Sequence, residues 1–256
     1  RLIKQMNHLL SAQIAMEHGI KGHVSASSMA SAGGAIAIGE AYRLIKHGVV
    51  DRIIAGGLDY NVNENCVGGM NAFGALTRSF NDAPDKAMRP FDERRSGTVI
   101  SDGGAMVLLE SEESAAGRAA QNIYGEVAGF NMNCDAFHAL RPTDSGVGLI
   151  SAIQEAMLEA GVTPREISAF NCHATSTPVG DASEAKCIQA ILASNQKFNP
   201  KTLDDFKALS PEVISTMADK LVISDYMPAI TAQKGNLGHC VAGAGALETC
   251  FALLSL

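Results

Sequence analysis

Three short strings of the sequence place a chemically reactive side chain among glycines or hydroxyl residues. Ser31 opens a run of small residues, His173 is followed by Thr175 and Thr177, and Lys234 precedes His239 in Lys-Gly-Asn-Leu-Gly-His. A hydroxyl is a candidate nucleophile, and an imidazole donates a hydrogen bond to a carbonyl group or acts as a base. Together these residue types indicate chemistry at a carbonyl group.

Ser31 is predicted to lie at a turn from a strand to a helix. The apolar segment His23–Ser27 predicts a short buried strand, and the small residues after it lead into a helix that ends near Lys46. The free N–H groups of a helix N-terminus favour negative charge, so they would activate a nucleophile and hold an oxyanion. The alternative is that small residues at this point only allow a helix to pack closely.

His173 and His239 are each predicted to follow a strand, Ile167–Cys172 in one case and Ala229–Ala232 in the other. Residues at the carboxyl ends of parallel strands face the ligand crevice of an open α/β sheet. Lys234 has two interpretations. It is either a solvated loop residue or a buried cation paired with an acid such as Glu184 or Glu248.

The elements around these residues alternate between strand and helix, which predicts parallel β/α units. Further strands are expected at Val50–Ala55, Gly103–Glu110 and Ile123–Phe130, and further helices at 3–18, Val147–Ala160, Ala182–Ala193 and from Val241. Residues 60–97 and 194–226 are interpreted as surface excursions, the second of them an insertion. Ser31-Ala-Gly-Gly-Ala and Cys240-Val-Ala-Gly-Ala follow strands in the same way, which indicates a duplicated architecture.

Composition excludes several classes of function. The net charge of −7 argues against a general nucleic-acid binder, and the apolar stretches are too short to span a membrane. The six cysteines form no CxxC pair, and Cys172-His173 and His239-Cys240 are adjacent pairs that point in different directions, so no metal site is expected. We expect a soluble protein of a reducing, intracellular compartment.

The order of these motifs resembles the β-ketoacyl-(acyl-carrier-protein) synthases, condensing enzymes of the thiolase-like superfamily, of the elongating I/II type. The resemblance covers nearly all of the chain except 194–226, and its strings are Gly22, Ala55-Gly-Gly, Arg89-Pro-Phe-Asp, Arg94, Gly97, Asp102 to Glu110, Asn133 to His138, His173 to Glu184 and Lys234 to Glu248.

The resemblance implies a role for each candidate residue. Ser31 takes the position of the nucleophile that accepts an acyl group from a carrier thioester. His173 and His239 would bind the carbonyl of the malonyl thioester and stabilise the enolate left by decarboxylation, which then attacks the acyl group. The remaining assignments are contacts to the phosphopantetheine arm by Thr175 and Thr177, and organisation of the site by Lys234 with Glu184 and Glu248. No metal or organic cofactor is required, because decarboxylation generates the carbon nucleophile.

The resemblance also implies a fold, a division and partners. The expected fold is α/β, a five-layer α-β-α-β-α arrangement of two similar halves that is incomplete at both ends. Residues 1–112 would form the latter part of the N-terminal half and residues 113–256 most of the C-terminal half. The expected partners are acyl- and malonyl-loaded acyl carrier protein and a second copy, paired through His23–Ser27. The compartment would be the cytoplasm or an organelle.

One departure from the family pattern concerns the nucleophile itself. The family has Thr-Ala-Cys-Ala where this chain has Met29-Ala-Ser31-Ala. A thiol titrates near ~8.5, whereas a hydroxyl needs an adjacent base, and a helix dipole contributes only about 1 kcal/mol. Three interpretations follow: an engineered Cys→Ser change, an inactive or decarboxylase-only relative, and an enzyme that uses Ser31 with a histidine base. The second change in this string, Met29 in place of Thr, favours a natural, diverged member, and smaller departures at Thr98, Ser101 and Leu237 agree.

Two rival functions remain. A serine α/β-hydrolase would use Ser31, Asp181 and His239 in that order, but Met29 replaces the first glycine of the GxSxG elbow, and this reaction has no use for His173 or Lys234. A catalytically inactive subunit that shapes the acyl pocket of a partner synthase would explain the missing cysteine, whereas the retained histidines argue against it.

Overall fold

The fold is described from a computed structural model, in which residues 6–139, 141–198, 202–218 and 227–255 are described. The helices and strands follow in the order α1 (Leu9–Glu17), α2 (Gly33–Lys46), β1 (Arg52–Asp59), α3 (Glu64–Ala72), β2 (Gly103–Glu110), α4 (Glu112–Gly117), α5 (Val147–Ala160), β3 (Ala169–Asn171), α6 (Pro178–Phe198), α7 (Leu203–Lys207), α8 (Pro211–Ser215), β4 (Ala229–Thr231), α9 (Lys234–Leu237) and α10 (Ala244–Leu254).

The chain divides into two compact units, each assembled from separate stretches of sequence. The first unit comprises Arg1–Asn61, Ser101–Gly125 and Cys240–Leu256, and the second comprises Val62–Ile100 and Glu126–His239. The predicted division into halves at residue 112 is a division along the sequence, and it stays a prediction.

The first unit is built on an antiparallel strand pair covered by two helices. Strand β1 pairs with β2 over its whole length, from Arg52 opposite Glu110 to Asp59 opposite Gly103. The ladder continues through Gly56 and Gly57, beyond the predicted end of the strand at Ala55. The bounds of β2 are those predicted, but the expectation that these strands form parallel β/α units is wrong, because β1 and β2 pair directly.

Helices α2 and α10 approach one another through a reciprocal glycine contact. A Cβ atom on Gly34 would lie 2.8 Å from the backbone nitrogen of Ala246, and one on Gly245 would lie 2.7 Å from that of Ala35. This exchange of equivalent contacts agrees with the duplicated architecture that the small-residue repeat indicated.

The sequence alignment of the repeat, however, is offset from its structural register. A 3₁₀ turn precedes each of the two helices, Ala30–Ala32 before α2 and Val241–Gly243 before α10. Each turn opens with a non-glycine residue at positive φ, 45° at Ala30 and 41° at Val241. The structural counterpart of Ser31 is therefore Ala242 and not Cys240, since shared Gly and Ala letters align in more than one register.

The second unit contains a short parallel strand pair, β3 with β4, in the register Ala169 to Ala229 and Asn171 to Thr231. Helix α5 has the predicted bounds, and α6 is longer than the predicted Ala182–Ala193. The main core of the unit is formed by α5 and α6 together with α7 and α8, through Ile150, Met157, Cys187, Ala190, Ile191, Phe206 and Ile214.

The expectation that 194–226 lies on the surface is wrong for Phe206 and Ile214, while its interpretation as an insertion stays a prediction. Phe206 and Ile214 are fully buried, and the buried Gln154 side chain donates to the backbone carbonyls of Phe206, at 2.9 Å, and Leu209, at 2.7 Å. Polar residues of this segment suggested a surface loop. In the structure they cap two short helices, and these helices place apolar residues in the core. Residues 199–201 and 219–226 lie outside the described residues.

Two further strand predictions are also wrong. His23–Ser27 and Ile123–Phe130 have no ladder partner among the described residues, and both are largely exposed, Val24 by 46% and Ile123 by 72%. An apolar run predicts extended backbone, whereas a strand also needs a neighbour with which to exchange hydrogen bonds. Helix α1 is shorter than the predicted 3–18, of which residues 3–5 are outside the described part.

Candidate active site

The second unit brings His173, at the end of β3, together with His239, which follows α9. The ladder continues past β3 through Cys172, whose N–H donates to the Thr231 carbonyl at 2.8 Å, and His173 follows at once. His239 follows Gly238, and its own N–H donates to the carbonyl of Val99 at 2.8 Å. The two imidazole rings meet edge to face, with centroids 5.3 Å apart.

Lys234 is buried beside this pair, as one of the two sequence interpretations required. It is the first residue of α9, and only 2% of its surface is exposed. Its positive charge adds to the burial that lowers the pKa values of His173 and His239, and it opposes the burial that raises the pKa of Glu184. The structure therefore excludes the solvated loop lysine.

Both imidazoles are held in their neutral form. Burial, followed by the neighbouring His173 and Lys234, lowers the pKa of His239 to about 3. Surrounding protein atoms reduce the solvation of the charged His173 ring. This effect, followed by the charge of Lys234, lowers the pKa of His173 to about 4. His173 nevertheless keeps an exposed surface, so water moderates its shift, while the buried His239 has no such access. At neutral pH each ring thus offers one N–H donor and one nitrogen acceptor.

Glu184 fixes the backbone that carries His173. Its two carboxylate oxygens accept the backbone N–H groups of His173 and Ala174, each at 2.7 Å. Burial raises the pKa of Glu184, while these N–H groups and Lys234 act in the opposite direction. Glu184 therefore belongs to the same cluster as Lys234, as the sequence predicts, and it has an additional structural contact with the strand end.

Thr175 and Thr177 lie side by side on the turn after His173. Their hydroxyl oxygens are 3.0 Å apart and are hydrogen-bonded to one another. Gly180, in the first turn of α6, leaves room for them, because a Cβ atom there would lie 2.5 Å from Thr177 Oγ1. The turn thus presents two adjacent hydroxyl groups that could bind a polar chain.

Ser31 and Glu248 belong to the first unit. Ser31 is partly buried in the 3₁₀ turn Ala30–Ala32, directly ahead of α2. The left-handed backbone of Ala30 is the kind of strained turn in which active-site residues are often held. Glu248 is partly buried on α10. The roles of both residues stay predictions.

Sequence reasoning missed the residues that support the turn. The motif string includes Arg94, yet the side chain of Arg94 is 71% exposed and pairs with Asp92. The neighbouring Arg95 is 18% exposed and donates to backbone carbonyls of the segment that carries the threonines. Its place two residues before Gly97 was the available signal, but adjacent arginines cannot be told apart by composition.

Among the described residues, no group of three or more His, Cys, Asp or Glu side chains could hold a metal ion. None of the described helices is both long enough and apolar enough to cross a membrane.

Comparison with known protein families decides between the condensing-enzyme and hydrolase interpretations. Residues 1–115 match the β-ketoacyl synthase N-terminal domain, and residues 124–207 match the β-ketoacyl synthase C-terminal domain. The chain belongs to the β-ketoacyl synthase family. The hydrolase interpretation loses its support, and Asp181, its required acid, instead accepts the backbone N–H of Phe91 at 2.8 Å.

Curated relatives of this β-ketoacyl synthase chain agree with the family. The mitochondrial 3-oxoacyl-[acyl-carrier-protein] synthase of Arabidopsis thaliana is 34% identical over 253 residues, which are 99% of this chain and 49% of the relative. The 3-oxoacyl-[acyl-carrier-protein] synthase 2 of Staphylococcus aureus is 39% identical over 181 residues, 71% of this chain and 44% of the relative. The chain thus spans about half the length of these relatives.

A solved structure confirms the predicted thiolase-like ketosynthase fold. It contains a type II PKS ketosynthase in complex with its acyl-carrier protein and bound to the hexaketide. The match has a TM-score of 0.79 at 25% identity and covers 97% of this chain and 53% of that one.

Proposed function

We propose that this chain carries the malonyl-binding part of a condensing-enzyme site, and that the full-length protein extends acyl chains held on an acyl carrier protein. The observation that supports this most strongly is the pair of neutral imidazoles, His173 and His239, with centroids 5.3 Å apart beside the buried Lys234. The family membership and the names of the two curated relatives agree with it.

The imidazole pair suits the decarboxylation of a malonyl thioester. Two N–H donors can bind the thioester carbonyl oxygen. When the bond between the α-carbon and the carboxylate breaks, CO₂ leaves and the electron pair moves into the thioester, giving an enolate. The two donors stabilise the negative oxygen that develops, and fixed donors of this kind contribute more in a water-poor site than in bulk water. The charge of Lys234 acts in the same direction.

Ser31 is proposed as the acceptor of the acyl group. Its oxygen attacks the carrier thioester, the C–O bond forms as the C–S bond breaks, and the hydroxyl proton is transferred to the leaving thiolate. The enolate carbon then attacks the resulting ester, and Ser31 leaves as an alkoxide that takes up a proton. The product is a 3-oxoacyl thioester that is two carbons longer.

Three supporting roles complete the proposal. Thr175 and Thr177, whose hydroxyls are 3.0 Å apart, would contact the phosphopantetheine arm. Lys234 and Glu184 would set the electrostatics around the imidazoles, and Glu248 would assist them.

The assembly that we propose is a homodimer that receives acyl- and malonyl-loaded carrier protein. The exposed segment His23–Ser27, which has no ladder partner among the described residues, would pair with its copy across a two-fold axis and so gain the neighbour that a strand needs. The solved ketosynthase bound to its acyl-carrier protein and the relative named mitochondrial support a carrier-dependent enzyme of the cytoplasm or an organelle. A monomer in light scattering at micromolar concentration would contradict the homodimer.

The test uses the full-length protein with malonyl-carrier protein, with and without acyl-carrier proteins of several chain lengths. Release of labelled CO₂ reports decarboxylation, and mass spectrometry of the carrier reports the 3-oxoacyl product. Both signals are expected. CO₂ release without the 3-oxoacyl product would identify a decarboxylase. The absence of both signals would support the inactive subunit that shapes a partner's pocket.

A further inference from the structure

The turn that carries the two threonines has a strained backbone. Ala174 and Ser176 are non-glycine residues with φ values of 31° and 65°. Such conformations cost on the order of 1–3 kcal/mol each and persist only where the surroundings hold them in place. Glu184 restrains the start of the turn through the N–H groups of His173 and Ala174, so a second restraint is needed at its far end.

Arg95 provides that second restraint. Its guanidinium group donates from Nε to the Thr177 carbonyl at 3.3 Å and from Nη2 to the Pro178 carbonyl at 2.8 Å. From Nη1 it donates to the Asp92 carbonyl at 3.0 Å, so the same side chain is fixed to its own loop. The planar fork of an arginine can hold three carbonyls at once, whereas a lysine ammonium is a single point donor.

The loop 89–97 around Arg95 is bound to the same turn by its backbone. The N–H of Arg89 donates to Ser176 Oγ at 3.1 Å, and the N–H of Gly97 donates to the Ser176 carbonyl at 3.0 Å. Ser176 is fully buried. Behind the turn, the buried carboxylate of Asp181 lies 3.9 Å from Arg95 Nε.

We propose that Arg95 is a positioning residue for the phosphopantetheine arm, because it holds the carbonyls of Thr177 and Pro178 and thereby fixes the paired hydroxyls of Thr175 and Thr177. This inference rests on the proposed function, in which those hydroxyls contact the arm. Arg95 itself touches neither the arm nor the reacting atoms. It therefore acts on binding of the arm and leaves the chemistry at the imidazoles unchanged.

The test compares Arg95→Ala and Arg95→Lys with Arg94→Ala in the full-length protein. Decarboxylation is measured with malonyl-carrier protein and with malonyl-pantetheine, which has the arm but no carrier. Arg95→Ala is expected to raise KM at least tenfold for both substrates and to change kcat less than threefold, with Arg95→Lys in between. Arg94→Ala should stay within twofold of the parent. An unchanged KM in folded Arg95→Ala protein would overturn the proposal, as would a rise confined to the carrier-bound substrate.

A second measurement separates this inference from the proposed function. Amide hydrogen exchange at Gly97 and Asp181, whose N–H groups bind Ser176 and Thr177, should be faster in Arg95→Ala than in Arg94→Ala, with or without turnover. If the parent protein releases no CO₂, the proposed function fails. The exchange measurement still tests whether Arg95 holds the turn, because it does not depend on turnover. Should Arg95→Ala not fold, Arg95→Lys carries the test, because it keeps the charge and loses the fork that holds the Thr177 and Pro178 carbonyls, and it should raise KM for both substrates. No rise would overturn the proposal.

Discussion

The rings of His173 and His239 meet at an interplanar angle of 83° with their centroids 5.3 Å apart. Two different parts of the backbone produce this arrangement, the end of β3 for His173 and the bridge to Ile100 for His239. His239 is buried and His173 lies beside Lys234, and both pKa values are lowered, so each neutral ring can donate one hydrogen bond to the same oxygen.

Replacing His239 with alanine should therefore remove one of two donors to the developing enolate. Loss of one such donor typically costs about 10²–10³ in kcat, and we expect a loss of this size in CO₂ release from malonyl-carrier protein. His47→Ala, at an exposed residue that follows α2, is the matched control and should leave kcat unchanged. A loss below tenfold for His239→Ala would argue against the donor role.

The lowered pKa values also predict a dependence of stability on pH. The pKa of His239 falls from 6.5 to about 3 and that of His173 to about 4 in the folded protein. The contribution of these histidines to the free energy of unfolding is therefore most favourable above about pH 6.5. It falls as the pH drops from there towards the folded pKa values, because the unfolded chain binds more protons. The buried His239 alone contributes a slope of at most about 1.4 kcal/mol per pH unit in this window.

Urea titrations at pH 7.5, 6.5, 5.5 and 4.5 would measure that slope. Replacing His239 with glutamine should flatten the fall in the free energy of unfolding on the acid side, whereas His47→Gln should leave it as in the parent. Identical slopes in parent and His239→Gln protein would show that His239 titrates normally in the folded state.

The nucleophile position gives a prediction of opposite sign, a gain of activity. Ser31→Cys introduces a thiol, whose ordinary pKa is about 8.5, at the strained turn before α2, and a thiolate is a much stronger nucleophile than a hydroxyl. We expect formation of the 3-oxoacyl product to increase at least 100-fold, with CO₂ release within threefold of the parent. Ser31→Ala should abolish condensation and keep decarboxylation. Equal condensation by the serine and cysteine forms would mean that Ser31 already has an effective base.

The fold class could be predicted from the sequence and the pairing of individual strands could not, while the roles of the site residues stay predictions. His173, Lys234 and Glu184 were found because strings of distinct residue types specify them jointly, and strands β2 and β4 and helix α5 were found because their apolar runs have clear ends. The antiparallel pairing of β1 with β2 depends on contacts between residues about 50 positions apart, and no local pattern encodes it. Arg95 acts on backbone carbonyls, which every residue has, so its partners leave no trace in the sequence.

The burial of Phe206 offers a direct test of the place of residues 202–218 in the core. Phe206 is fully buried in the cluster formed by α5, α6 and α8, so Phe206→Ala should destabilise the protein by about 3–5 kcal/mol. Phe73→Ala, at a side chain that is 68% exposed, should change stability by less than about 0.5 kcal/mol. Thermal or urea unfolding measures the stability of both variants. Equal stabilities would show that residues 202–218 do not belong to the core.

The close contact of α2 with α10 requires a glycine at position 245, whereas Gly68 in α3 has no such contact. Gly245→Ala places a Cβ atom 2.7 Å from the backbone nitrogen of Ala35, and backbone cannot move aside as a side chain can. We expect a loss of about 1–3 kcal/mol, the usual cost of overpacking. Gly68→Ala, in α3 with nothing within 4 Å of the added atom, should instead stabilise by about 0.5–1 kcal/mol through helix propensity. If both substitutions stabilised the protein, the two helices would not be in close backbone contact, and the structural register of the repeat, with Ser31 opposite Ala242, would be wrong.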